Sequence, residues 1–269
     1  MPVADRGHTQ IFWEEQGSGE PLLLVMGHGW PRQMWARHLP ALTEQYRVIS
    51  FDNRGVGQTV TGLSQWTLAD MADDALAVLD AAGVSRAHVY GASMGGGIAQ
   101  VMVLDHPERV GALILGCTAA RAAGRRVPLR QISRHLLPAL LAGRRERTVA
   151  LARALVYGPA TDPALIAEDL LLLESLHRPA EGLRAQRRAV LEYEGSRLRL
   201  GSVRSPTLII HGSDDRLVPV RYGEELAQLI PGAELVLLPG AGHMYITDAT
   251  HAADAAVLSF LAAHPLASE

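Results

Sequence analysis

Ser93 stands in the pentapeptide Gly91-Ala92-Ser93-Met94-Gly95, and that setting makes it a candidate nucleophile. A serine hydroxyl attacks poorly near neutral pH unless a base lies within hydrogen-bond reach and a carboxylate orients that base. Both partner types occur far downstream. His243 ends the run Pro239-Gly240-Ala241-Gly242-His243, and the adjacent carboxylates Asp214 and Asp215 follow Gly212-Ser213. Brought together, such groups perform acyl transfer: the hydroxyl attacks a carbonyl, the imidazole carries the proton, and the carboxylate holds the imidazole. Only one of two adjacent aspartates can face the histidine. The other ten histidines have no comparable setting, and His211, at a strand end, reads as structural.

The elements that must position these residues are legible as alternating apolar runs and helical patterns. Gln10–Glu15, Pro21–Met26, Arg47–Phe51, His88–Gly91, Val110–Gly116, Pro206–His211 and Glu234–Leu238 read as strands, several of them continuously apolar as buried strands are. Between them, Thr67 opens a helix reaching Ala82 with a stop at Gly83, and Met94 opens another that ends before Pro107. Helices are also expected over Arg221–Leu229 and from about Ala252 to Ala263. Strands alternating with helices imply a mostly parallel sheet covered on both faces. Ser93 then lies on a tight strand-to-helix turn, where the flanking glycines remove Cβ atoms that would clash. Gly95-Gly96-Gly97 fits neither G-x-G-x-x-G nor a P-loop, so it reads as close packing of the helix start. His243 and the aspartate pair both leave the carboxyl ends of strands, the edge where ligands bind in such sheets.

From about residue 120 to 200 the pattern becomes helical throughout, rich in Leu, Ala and Arg. The expected organisation is a core of residues 1–120 and 201–269 interrupted by a helical cap over 121–200. Apolar cap residues such as Leu136, Leu137, Leu140, Tyr157 and Leu172 are expected to roof a cleft or, equally, to serve as plain core packing. Charge is uneven too. Residues 121–200 hold 15 Arg against 8 acidic residues, while the remainder holds 10 Arg against 20. An Arg reaching the cleft could hold a substrate carboxylate. Otherwise the basic segment reads as a solvated helix face, since no nucleic-acid module is recognisable. The longest apolar runs, Leu22–Met26 and Leu170–Leu173, are too short to span a bilayer. No charged-then-apolar leader opens the chain, so a soluble cytoplasmic protein is expected, monomeric or homodimeric, acting on a small molecule. Cys117 is the single cysteine, which leaves no intrachain disulfide and no cluster of cysteine metal ligands.

Taken together, Gly27-His28-Gly29-Trp30-Pro31, Phe51-Asp52-Asn53-Arg54-Gly55-Val56-Gly57, the Ser93 pentapeptide, the Gly212–Pro219 loop and Gly240-Ala241-Gly242-His243 resemble the serine-nucleophile branch of the α/β-hydrolase superfamily. The resemblance covers almost the whole chain. It extends to enol-lactone hydrolases, anthracycline methyl esterases and non-haem bromoperoxidase-like proteins. It implies an eight-stranded, mostly parallel sheet with an inserted helical lid, and it selects Asp215 as the acid of a Ser93–Asp215–His243 triad. It also implies an oxyanion hole made by the backbone N–H groups of Trp30 and Met94. Trp30 precedes Pro31, where a cis bond is accessible. His28, Asp52, Asn53 and Arg54 are expected to shape loops and take no part in the chemistry. No metal or organic cofactor is implied. The expected reaction is hydrolysis of a carboxylic ester or lactone through an acyl-Ser93 intermediate. Two alternatives are weighed against it: a tailoring enzyme on the same scaffold (acyl elimination, cyclisation, acyl transfer or carbon–carbon cleavage) and a non-catalytic binding protein. Met244 after the histidine, where the carbon–carbon hydrolases of the family usually carry Trp, counts against carbon–carbon cleavage.

Overall fold

The computed structural model describes residues 2–121 and 154–266. Among the described residues nine strands form one sheet: β1 (Val3–Asp5), β2 (Thr9–Gln16), β3 (Glu20–Val25), β4 (Tyr46–Phe51), β5 (Val60–Thr61), β6 (Ala87–Ala92), β7 (Val110–Gly116), β8 (Thr207–Gly212) and β9 (Glu234–Leu238). Eight of them run in the order β1-β2-β4-β3-β6-β7-β8-β9, and the two-residue β5 pairs with β2 beside that path. From β4 to β9 the pairing is parallel; β1, β2 and β5 are antiparallel. The sequence pattern misses β1 and β5 because two or three residues are too few to show a period of two.

Helices cover both faces: α1 (Leu39–Thr43), α2 (Leu68–Ala81), α3 (Met94–Asp105), α4 (Pro163–Ser175), α5 (Ala180–Glu192), α6 (Arg221–Leu229), α7 (Tyr245–Asp248) and α8 (Thr250–Ala263). Thr67 starts α2 through a capping box with Asp70, which satisfies two backbone donors at that end. The buried strands alternate between two cores. Leu23, Ile49, Val89, Leu113 and Ile209 pack with α2, α3 and α6, while Leu22, Leu24, Val48, Ile114 and Ile210 pack with α1 and α8. This is why the central strands read as unbroken apolar runs: each face is covered, so neither alternate set can be polar.

One topological feature places the site. β3 and β6 are neighbours, yet the chain leaving β3 crosses to β4 on one side and the chain leaving β6 crosses to β7 on the other. Their carboxyl ends therefore open a crevice, as in other open parallel sheets. Between β7 and β8 the described chain carries α4 and α5 and no strand. Leu136, Leu137 and Leu140 lie outside the described residues. No cis peptide occurs among the described residues, so Trp30–Pro31 is trans. None of the described helices is long and apolar enough to cross a membrane.

Candidate active site

Ser93 follows β6 directly and precedes α3, at φ 55° and ψ −117°. A non-glycine residue in that region stores on the order of 1–3 kcal/mol of strain, so the neighbours must hold it. They do so on both sides. The Ser93 N–H donates to the Gly116 carbonyl at 2.8 Å, and the Thr118 hydroxyl donates to the Ser93 carbonyl at 2.7 Å. A Cβ on Gly91 would overlap the Gly95 carbonyl, and one on Gly95 would overlap the Val25 carbonyl of β3. The spacing of the two glycines is thus set by the sharpness of the turn.

The loop after β9 carries His243. The Gly242 N–H donates to Asp248 of α7 at 2.7 Å, and the Met244 N–H donates to the Val156 carbonyl at 2.7 Å, so both sides of the histidine are tied. A Cβ on Gly212 would strike the Ala241 and Gly242 carbonyls, so the loops after β8 and β9 touch backbone to backbone. This contact brings Asp215 under His243.

The structure joins the three expected side chains in one line. His243 Nε2 lies 2.9 Å from the Ser93 Oγ, and His243 Nδ1 lies 2.8 Å from Oδ2 of Asp215. A carboxylate only accepts, so Nδ1 carries the proton and the Nε2 lone pair faces the serine hydroxyl. The other carboxylate oxygen of Asp215 accepts the N–H groups of Leu217 and Val218, each at 2.8 Å. Burial would raise the Asp215 pKa, but the adjacent His243 and His211 overcome it and hold the carboxyl well below the usual range. Asp214 plays a different part: its N–H donates to the Ala241 carbonyl and its carboxylate accepts the Ser213 hydroxyl. His211 donates Nε2–H to the Val218 carbonyl at 2.8 Å and so shapes the acid loop.

Of the two expected oxyanion donors, the structure leaves one open and engages the other. The Met94 N–H opens α3 and has no acceptor among the described residues. The Trp30 N–H donates to the Gly27 carbonyl at 3.3 Å, which closes the turn after β3. That bond is at the long, weak end of the range. The same turn is clamped from above by α5 and the segment before it. Gln186 accepts the Gly29 N–H at 2.7 Å, Arg178 donates to the Gly29 carbonyl, and His28 Nε2 donates to the Leu183 carbonyl at 2.9 Å. Below it, Asp52 accepts the N–H groups of Arg32 and Gln58, Asn53 donates to the Met26 carbonyl, and Arg54 pairs with buried Asp74. All four residues expected to shape loops therefore do so.

Above Ser93 lies a cavity of about 250 Å³, walled by Met26, Trp30, Val156, Leu217, Tyr245 and Ile246, with Cys117 and His243 beside the hydroxyl. A smaller space of about 80 Å³ meets Ser93 from the side of Thr118 and Tyr193. The sequence does not place Val156, Leu217, Ile246 or Cys117 at the cleft, because nothing local marks a residue that meets the cavity only through tertiary packing. Tyr157, expected to roof the cleft, is buried and donates its hydroxyl to Asp169 at 3.0 Å. No arginine among the described residues lines the larger cavity.

The chain belongs to the α/β-hydrolase fold family, whose model matches residues 22–156 and 181–250. It is 32% identical over 252 residues to an Azorhizobium caulinodans protein with the provisional name carbamate hydrolase RutD, covering 91% of this chain and 92% of that one. It is 30% identical over 269 residues to the dihydrolipoyllysine-residue acetyltransferase component of an acetoin cleaving system from Pseudomonas putida, covering 97% of this chain and 69% of the other. Among solved structures it is similar to the enol-lactonase of Burkholderia xenovorans LB400, with a TM-score of 0.80 and 25% identity over 97% of this chain and 100% of that one.

Proposed function

We propose that this chain hydrolyses a carboxylic ester or lactone of a small or mid-sized metabolite through an acyl-Ser93 intermediate. The observation that carries this reading is the Ser93–His243–Asp215 chain of 2.9 and 2.8 Å contacts at the floor of an apolar cavity. Ser93 attacks the carbonyl while His243 takes its proton through Nε2, and Asp215 holds the resulting imidazolium. The oxyanion forms against the Met94 N–H and draws the Trp30 N–H away from Gly27, because a charged oxygen is a stronger acceptor than a peptide carbonyl. One such donor is typically worth about 2.7–4 kcal/mol of transition-state stabilisation. His243 then protonates the leaving alcohol and activates water to release the acid. Every step uses side chains and backbone of this chain, and none calls on a metal or cofactor.

The similarity to an enol-lactonase supports an ester-type carbonyl, and the similarity to a protein named as a carbamate hydrolase supports a hydrolytic outcome. The similarity to an acetyltransferase component favours a second reading, in which an acceptor other than water takes the acyl group. We assign residues 121–200 as the cap that selects the substrate, because Val156 walls the cavity and α5 grips the Gly27–Trp30 turn. A panel of esters, lactones, carbamates and thioesters, with and without alcohol and thiol acceptors, tests these assignments. The highest kcat/KM should fall on an ester or lactone, with free acid as product. Acyl-acceptor adducts as the main product would replace hydrolysis by transfer.

A further inference from the structure

We propose that Cys117, Asp215 and His243 form an inhibitory binding site for a soft divalent cation such as Cd²⁺ or Zn²⁺. Cys117 is one residue beyond β7, at φ 43°, a conformation that a non-glycine residue adopts only when its surroundings impose it. Here its N–H donates to the Ile210 carbonyl of β8 at 2.9 Å, and its sulfur accepts the Gly212 N–H at 3.5 Å. The thiol is thereby held against the start of the acid loop. Its sulfur, a carboxylate oxygen of Asp215 and a ring nitrogen of His243 all lie within 4.8 Å of one another. All three residues are buried, yet Cys117 and His243 both line the cavity above Ser93, which gives an ion a route to them.

The donor set decides the class of ion. One sulfur, one imidazole nitrogen and one carboxylate oxygen suit Zn²⁺ and Cd²⁺ and are a poor match for Mg²⁺ or Ca²⁺, which take oxygen ligands. Zinc ligand distances of about 2.0–2.3 Å in a tetrahedral site put ligand atoms about 3.3–3.6 Å apart. Asp215 Oδ2 and His243 Nδ1, 2.8 Å apart in their hydrogen bond, must therefore separate slightly to admit the ion, a change that side-chain rotation can supply. As the site stands, burial and the neighbouring Asp215 charge push the Cys117 thiol up and keep it protonated. A dication reverses that balance, and the thiol binds as thiolate.

Binding changes the proton inventory in a way that stops catalysis. Cys117 releases its proton to solvent as the sulfur–metal bond forms. The ion needs the His243 Nδ1 lone pair, so the ring proton leaves Nδ1 and a proton is taken up at Nε2. The net release is one proton per ion. The neutral ring then presents Nε2–H to Ser93 and has no lone pair to accept the hydroxyl proton. Asp215 exchanges its orienting role for ligation. Inhibition rests on the role proposed above for His243; binding does not. The absence of a cysteine cluster, expected from the single cysteine, does not bear on a mixed set whose members leave three different strands.

The test is a titration of the whole chain with Cd²⁺ alone, read by the ultraviolet absorbance of a cadmium–thiolate bond and, in parallel, by ester turnover. The expected result is one ion per chain, coincident midpoints for the absorbance and the inhibition, and recovery with EDTA. C117S should weaken binding by at least about 10-fold, the scale on which even outer-shell changes act. C117A serves if C117S fails to fold, and S93A should retain the absorbance because Ser93 is not a ligand. Inhibition of C117S at the wild-type midpoint, or no cadmium–thiolate absorbance in the wild type, overturns the site. Absorbance without loss of turnover overturns the inhibitory role. Absorbance in a chain inactive on every ester tested leaves the metal site standing and overturns the hydrolase reading.

Discussion

His243 with Asp215 and His38 with Asp254 are the same pair of side chains in two settings. In each, Nδ1 of a buried imidazole meets a buried carboxylate. They differ in what the second nitrogen meets. His243 Nε2 faces the Ser93 hydroxyl at 2.9 Å, in a cavity, whereas His38 Nε2 donates to the Ile246 carbonyl at 3.0 Å, in the core. A hydroxyl can give up a proton and a carbonyl cannot, so only the first pair can act as a base. The second is a strut. It ties the chain before α1 to α7 and α8, the segment that follows His243, and it fixes Ile246, a wall of the cavity. An imidazole–carboxylate pair therefore carries no function by itself; the third atom decides.

The sharpest way to break this contrast is to remove each histidine in turn. H243Q and S93A should each lower kcat by about 10⁴–10⁶-fold, and the double variant should lose little more, because groups that act as one unit are not additive. Steady-state kinetics on the best ester checks this, with melting curves to show that the fold persists. D215N should cost about 10⁴-fold in kcat, since an amide no longer enforces the tautomer with the lone pair on Nε2. H38Q should behave in the opposite sense. It strands the Asp254 carboxylate without its partner, a loss of about 3–5 kcal/mol and a melting-temperature fall on the order of 10 °C. Its kcat should stay within the same order of magnitude as the wild type. A collapse of kcat in a folded H38Q would erase the distinction between base and strut.

A smaller effect separates the carboxylates around the histidine loop. Asp248 accepts the Gly242 and Gly158 N–H groups and the Thr161 hydroxyl. Burial, with a contribution from the charge of Asp169, raises its pKa above the ordinary value despite those bonds. A carboxyl raised in the folded state favours folding below its unfolded pKa, about 3.9, and that contribution is lost as pH rises through the folded value. The stability of the wild type relative to D248N should therefore decline as pH rises through that window in denaturant titrations. A difference that grows with pH would show that the hydrogen bonds to Asp248 outweigh its burial.

What could be read from the residues alone follows from what is local. The Ser93 turn is encoded within five residues, because Gly91 and Gly95 are where a Cβ would overlap backbone. The loops carrying Asp215 and His243 are likewise marked by the glycines that let them touch. The choice between Asp214 and Asp215 was not local; it came from the resemblance, and the geometry shows why, since Asp214 faces Ser213 and not the imidazole. His38 and Asp254 are 216 residues apart and neither sits in a telling motif, so their pairing was invisible. The same holds for Cys117, Val156, Leu217 and Ile246, which enter the cavity from four separate elements. Trp30 lies in the turn after β3, but its N–H bond to Gly27 depends on how that turn closes, which spacing does not encode.

The most direct test of the whole account is covalent capture at the proposed nucleophile. The chain is treated with a fluorophosphonate, or with an activated ester under rapid acid quench, and the adduct is mapped by peptide mass spectrometry. The account predicts one adduct, on Ser93, that is absent in S93A and sharply reduced in H243Q. An adduct on another residue, or turnover that survives S93A without any adduct, would contradict it.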